Sequence, residues 1–260
     1  MDLPARRQAA SALADAERSR LPIEPLSKCY PGMDLDDAYA IQMLNIEDRL
    51  TAGSAVRGHK VGLTSKAMQT MLGVDQPDYG HLLTDMFIAD RDVVAADRYL
   101  QPRVEIEIAF VLGSGLGGGG VTAADVLRAT EFVVPAIEVI DSRIADWAIT
   151  LEDTVADNGS SAGVVLGCRP TKIGDRDLRL VRGILERSGR LVETGLGAAV
   201  LGNPVSAVAW LANSLHQMGV ALEAGHVVLP GSCTRAVDVV PGDVVRAEFD
   251  GLGDVVVCFE

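Results

Sequence analysis

From residue 101 onward the chain is a succession of stretches rich in branched aliphatics, VEIEIAFVL, EFVVPAIEVI, LRLVRGILE, RLVET, HVVLPG, DVVRAEF and DVVVCFE. Runs of this kind bounded by Gly, Pro and Asp are strand signals, and Ser188-Gly189 reads as a two-residue hairpin turn. Two helices interrupt the strands. Thr122 with Asp125 forms a capping-box pattern opening a helix through Arg128, and Asn203-Pro204 places a cap and a first-turn proline before VSAVAWLANSLHQMGV. Ahead of the strands, residues 5–19 are Ala-rich and charged, and Asp34 opens a second helical stretch in which Tyr39, Met43, Ile46 and Leu50 recur at helical spacing. Thr64 or Ser65 is placed to cap a short helix ending near Gly73, and D-Q-P-D-Y-G then reads as a turn or loop. Helices first, then strands without regular βαβ alternation, predict an α+β fold.

The 260 residues, 48% of them hydrophobic, suit one catalytic unit with a small N-terminal appendage. A formal charge of −13 with no local Lys/Arg run argues against nucleic acid, and an anionic substrate would need a local cation to hold it. The four cysteines, Cys29, Cys168, Cys233 and Cys258, include no C-x-x-C pair and read as buried free thiols in a reducing compartment. No segment has the ~18 apolar residues of a membrane span. A cytoplasmic protein is the expectation. Gly113 to Gly120 lacks both the Lys-Ser/Thr of a phosphate loop and the spacing of a dinucleotide site, so it is expected to be a surface loop.

In Val104-Glu105-Ile106-Glu107-Ile108 the period of two sets both carboxylates on one strand face. A half-exposed strand has this pattern too. Glu138 differs, because it lies within VVPAIEVI, where an unpaired charge is costly to bury. Three converging carboxylates without nearby His or Cys would select a hard cation, Mg²⁺ or Mn²⁺, over Zn²⁺. Spacing alone leaves both a metal site and ordinary strand charges open. Lys60, in an apolar stretch, is either a carbonyl-polarising or basic lysine or one that snorkels at a strand end. Asp78 by itself reads as a turn residue, and Asp141 with Arg143 as a structural pair. The four histidines show no ligand spacing.

Six segments, GHKVGLTSKAMQTMLGVDQPDYGHLL (58–83), PRVEIEIAFVL (102–112), PAIEVIDSRIADW (135–147), DTVADNGSSAGVVLG (153–167), GAAVLGNPVSAVAWLA (197–212) and VVLPGSCTRAVDVVPGD (227–243), together resemble the 2-hydroxypenta-2,4-dienoate hydratases. These belong to the fumarylacetoacetate-hydrolase-like superfamily. LPGSCTRAVD looks particularly like the actinobacterial steroid-degradation members, whose dienoate carries an extra methyl. The resemblance implies a mixed β-roll core with flanking helices, an N-terminal helical region over 1–57 and a catalytic domain over 58–260. It implies Glu105, Glu107 and Glu138 as metal ligands, Lys60 and Asp78 as catalytic residues, and Leu83, Ser160, Ser161 and Ser232 at the substrate. The family's usual D-N-A-S-S reads Asp157-Asn158-Gly159-Ser160-Ser161 here, a change that loosens the turn and removes no functional group.

The activity implied is addition of water to 2-hydroxypenta-2,4-dienoate, or its six-carbon homologue, by a Mg²⁺ or Mn²⁺ homo-oligomer, with a downstream aldolase or a sister decarboxylase as a complex partner. One rival is the sister decarboxylase of 2-oxo-3-enedioates. Its members resemble one another in an aromatic residue after G-L-T-S, where this chain has Lys66. An acylpyruvate hydrolase wants a His/Glu pair that the first 60 residues lack. A non-catalytic scaffold partner is the rival from another class, against which the intact carboxylates and Lys60 argue.

Overall fold

The computed structural model describes residues 1–65, 69–70 and 74–260. Lys66 and most of the short helix expected to end near Gly73 lie outside them. Three helices come first, α1 (Leu3–Ser19), α2 (Leu26–Cys29) and α3 (Leu35–Thr51). Asp2 caps α1 by accepting from the Ala5 amide, and Asp34 and Asp37 close a reciprocal capping box on α3. The buried face of α3 is Ala38, Ile41, Gln42 and Ile46, and Leu50 is exposed. These helices share an apolar cluster, including Leu13, Leu26 and Ile41, with Ile144, Leu151 and Val155 from the middle of the chain.

The strands are β1 (Val56–Gly62), β2 (Asp78–Leu83), β3 (Phe87–Ile88), β4 (Val93–Val94), β5 (Arg103–Leu112), β6 (Thr130–Ile140), β7 (Ser161–Leu166), β8 (Arg182–Arg187), β9 (Arg190–Leu196), β10 (Val227–Leu229), β11 (Val237–Asp238), β12 (Val244–Phe249) and β13 (Gly253–Phe259). Among them sit α4 (Ala123–Ala129), α5 (Leu151–Ala156) and α6 (Pro204–Gln217). One mixed sheet runs β2-β1-β10-β5-β6-β7-β3, with β11 added to β5, and a second runs β4-β13-β12-β8-β9. The main core, with Ile106, Phe110, Ile137, Phe249 and Val257, lies between the sheets and takes in α6. A smaller cluster, including Leu82, Ala109, Val134 and Leu229, occupies the other face of the first sheet. No helix of the described residues is long and apolar enough to cross a membrane.

The fold is the α+β arrangement expected, with several local differences. Asp78, Tyr79 and Gly80 belong to β2 and pair with Gly62, Val61 and Lys60, so the D-Q-P-D-Y-G segment is a turn only in its first half. The backbone of Leu178–Leu180 forms a 3₁₀ turn, and the strand read over LRLVRGILE begins at Arg182. Strand β1 has Lys60 near its end, as one of the two readings of that residue expects, whereas β2, β7 and helix α5 carry no long periodic signal. Cys29 and Cys168 are exposed rather than buried; Cys233 alone of the four is fully covered, and all are free thiols. Arg143 pairs with Asp157 and not with Asp141, because Asp141 already accepts from the backbone amides of Leu100 and Gln101.

Candidate metal and catalytic site

The β5–β6 ladder sets Glu105 directly opposite Glu138, and Glu107 follows Glu105 on the same face of β5. A carboxylate oxygen of each lies within 4.8 Å of the others. Glu107 and Glu138 have no solvent exposure, whereas Glu105 is only partly covered, which makes its side the more open one. The Gly231 amide donates to Glu107 Oε2 at 2.7 Å, but Glu107 Oε1 and both oxygens of Glu138 are buried without a hydrogen-bond partner. Native proteins rarely leave such groups orphaned.

Electrostatics sharpens the anomaly. Burial, then the charge of Glu138, pushes the Glu105 carboxyl up to about 7. Burial and the neighbouring glutamates raise Glu107 well above its ordinary range, and burial also raises Glu138, against the pull of Lys60 and the Ser161 hydroxyl. Acceptor-only oxygens gathered this closely fit a hard divalent cation, which would satisfy the orphaned atoms and remove the mutual repulsion. Glu105, Glu107 and Glu138 are the residues that would hold it.

Strand β1 brings Lys60 over this cluster, with Nζ 3.7 Å from Glu138 Oε1 and 5% of the residue exposed. Burial disfavours its charge, but Glu138, Asp78, Glu105 and Glu107 outweigh burial and hold it above the ordinary lysine range. In the metal-free cluster the surrounding carboxylates favour the charged form of Lys60. Asp78 stands beside it through the Gly62–Asp78 pairing, and a Cβ at Gly62 would collide with the Asp78 carboxylate. Burial raises Asp78, and Lys60 and the Gly62 amide draw it back.

The remaining expected residues divide. Ser161 lies beside Glu138, although its hydroxyl makes no hydrogen bond of standard geometry. The Ser160 hydroxyl turns to Thr154 Oγ1 at 3.4 Å. Ser232 Oγ donates to the Ile106 carbonyl at 3.3 Å and accepts from the Thr234 amide. Leu83 is fully buried in the apolar cluster with Leu82, Met86 and Val134. Sequence reasoning did not single out Gly62 or Gly231, whose roles are a missing side chain and a backbone amide and leave no trace in residue chemistry.

Gly159 packs on Lys60: its φ is +60°, and a Cβ there would lie 3.0 Å from Lys60 Cε. The model of the fumarylacetoacetate (FAA) hydrolase C-terminal family matches residues 51–260. The chain belongs to that family. Among FAA hydrolase family relatives, it is 46% identical over 255 residues to the 2-keto-4-pentenoate hydratase of Paraburkholderia xenovorans strain LB400, covering 98% of this chain and 95% of that one. It is 42% identical to the 2-oxo-hept-4-ene-1,7-dioate hydratase of Escherichia coli, with 95% and 94% covered. Among solved structures it resembles the 4-oxalocrotonate decarboxylase from Pseudomonas putida G7, complexed with magnesium and adipate, with a TM-score of 0.91, 37% identity and 98% of each chain covered.

Proposed function

We propose that this chain is a divalent-metal-dependent hydratase of 2-hydroxypenta-2,4-dienoate or its methyl homologue, acting in the breakdown of aromatic rings. The observation that carries this reading is the buried triad Glu105, Glu107 and Glu138, with its unsatisfied oxygens facing one cation, Lys60, and one carboxyl, Asp78. Near-complete coverage of hydratase relatives at 46% identity supports the reaction class. We take Mg²⁺ or Mn²⁺ as the ion, bound by the three glutamates, and residues 1–57 and 58–260 as the helical region and catalytic domain.

In the reaction a proton leaves the 2-hydroxyl and one is added at C5, giving a 2-oxo-3-enoate; water then places its hydroxyl on C4 and its proton on C3. When bound, the ion supplies Lewis acidity at the carboxylate and 2-oxo oxygens. Lys60, kept charged by the carboxylates around it, stabilises negative charge at the 2-oxygen. Asp78, buried beside Lys60, exchanges a proton at the distal carbons. Ser161, beside Glu138, lines the wall.

The decarboxylase reading draws support from the structural likeness to 4-oxalocrotonate decarboxylase. A diacid needs a second cation, and Arg103, two residues from Glu105, is engaged by Asp238 at 2.7 Å and stacked 4.5 Å over Trp147. The 2-keto-4-pentenoate hydratase relative at 46% identity favours the monoacid. Assaying the purified protein with 2-hydroxypenta-2,4-dienoate and with 2-oxohex-3-enedioate separates the two readings, and turnover of the diacid alone would overturn ours. We also propose a homo-oligomer, supported by the exposed Leu191 and Leu196 along the edge strand β9 and by Leu180 beside it.

A further inference from the structure

Gln42 lies on α3, outside the family-matched segment, and is 1% exposed. Its Nε2 donates to the Val155 carbonyl at 2.7 Å and to the Tyr79 carbonyl at 3.2 Å. Carbonyls only accept, so these two bonds settle which end of the amide is which. Oε1, 3.0 Å from His81 Nδ1, must then receive a proton from that ring nitrogen. One side chain thereby ties α3 to β2, the strand that carries Asp78, and to the end of α5.

The end of α5 runs directly into the site. Residues Asn158, Gly159 and Ser160 have φ of 55°, 60° and 56°, a left-handed turn that places Gly159 on Lys60 and leads to Ser161 beside Glu138. Asn158 grips the same β2 residue that Gln42 grips, accepting from the His81 amide at 2.7 Å and donating to the His81 carbonyl at 2.9 Å. His81 is held by its ring from α3 and by its backbone from the turn. These contacts link α3 to the strand of Asp78 and to the wall behind Lys60 together.

We propose that Gln42 is a positioning residue for the reaction: it sets β2 and the 158–160 turn in register, so that Asp78 and Lys60 keep their placement over the glutamates. Its side-chain hydrogen bonds go to Tyr79, Val155 and His81 and to none of Lys60, Asp78 or the three glutamates. The N-terminal helical region thus has a part in catalysis through one buried amide. The kinetic side of this proposal rests on the hydratase reading; the tautomer it requires at His81 does not.

The test uses Gln42→Met, which keeps length and removes the polar groups, and Gln42→Glu, which keeps shape and loses the amide donors. Ser27→Ala is the control. It cuts another polar tie between the N-terminal region and α5, Ser27 Oγ to Asp153 Oδ2 at 2.7 Å, leaves the Ser27 amide on Asp153 Oδ1, and does not touch β2. Turnover of 2-hydroxypenta-2,4-dienoate, Mg²⁺ affinity by calorimetry and unfolding in urea are measured for each. Both Gln42 variants are expected to lose about tenfold or more in kcat while Mg²⁺ affinity stays within about twofold, because small misplacements of reacting groups are costly. Ser27→Ala is expected to lose stability only.

Folded Gln42 variants with wild-type kcat, or an equal loss in Ser27→Ala, would overturn the proposal. Nitrogen NMR of the wild-type His81 ring needs no variant to fold: a proton on Nδ1 is expected, and a proton on Nε2 alone would overturn it. A wild-type protein inactive on the dienoate would instead refute the hydratase reading and leave the tautomer result standing.

Discussion

Glu105 and Glu138 face each other as a directly opposed pair across the β5–β6 ladder. Like charges in that position destabilise a sheet, and here Glu138 is fully buried while Glu105 is only partly covered. Glu105→Gln removes one of them and leaves the Lys60–Glu138 contact in place. In the presence of a chelator the variant should unfold at a higher temperature than the wild type. Excess Mg²⁺ should reverse the order, since an ion at a hundred times its Kd stabilises the protein that binds it by about 2.7 kcal/mol. Thermal unfolding with and without Mg²⁺ measures both, and an equal Mg²⁺ shift in the two proteins would remove Glu105 from the ligand set.

The same carboxyl predicts a pH dependence. Glu105 titrates at about 7 in the folded chain against an ordinary 4.5, so between those values the folded state holds a proton that the unfolded state has lost. Stability of the metal-free protein therefore rises, through this group, as pH falls from about 7 toward 4.5. The stability gap between Glu105→Gln and wild type should shrink over that window. Metal affinity should move the other way, weakening as pH falls, because the ion must displace the proton. Urea unfolding at several pH values in chelator and calorimetric titration with Mg²⁺ provide the two curves; a gap independent of pH contradicts the assignment.

Lys60 is a buried cation 3.7 Å from Glu138. Replacing it in Lys60→Met should reduce kcat by about a hundredfold or more, the scale of a lost charge-stabilising or proton-transfer group. Mg²⁺ should bind as tightly or more tightly, because a positive charge beside the ligands is gone. Steady-state kinetics with calorimetry decide the matter, and weakened Mg²⁺ binding with unchanged kcat would assign Lys60 to holding the ligands instead.

Arg143 and Asp157 form a buried pair in which Arg143 Nε meets Asp157 Oδ1 at 2.5 Å and the guanidinium also donates to the Asp157 carbonyl. Arg143→Met leaves a buried carboxylate without its cation and should cost about 3 kcal/mol or more. Urea denaturation reads this directly. A cost near zero would mean that the Arg143 and Gly159-turn backbone holds Asp157 without the charge.

What was legible beforehand depended on whether a residue's role is written in its own chemistry. Glu105 and Glu107 showed a period of two, Thr122 with Asp125 and Asn203 with Pro204 are local capping signals, and each forms the structure it announces. Asp78 was indistinguishable from a turn aspartate, because β2 is short, begins just after Pro77 and takes its strand identity from pairing with β1. Arg143 has a nearer acidic residue in sequence, Asp141, and finds Asp157 only because the loop after β6 folds against the end of α5. Family resemblance supplied a list of residues, but the convergence of Lys60 on Glu138 is a property of β1 lying two strands from β5.

The orphaned oxygens of Glu107 and Glu138 have a consequence for the lifetime of the chain in a cell. Without a cation those oxygens are either protonated or left unpaired at the centre of the fold, so the unfolded fraction, the form open to proteases, should be larger than with an ion bound. With the ion on the proposed ligand set, abundance of this protein should then follow the free divalent-ion level even when no substrate is present, and a chain that has not found its ion should be the one most readily cleared.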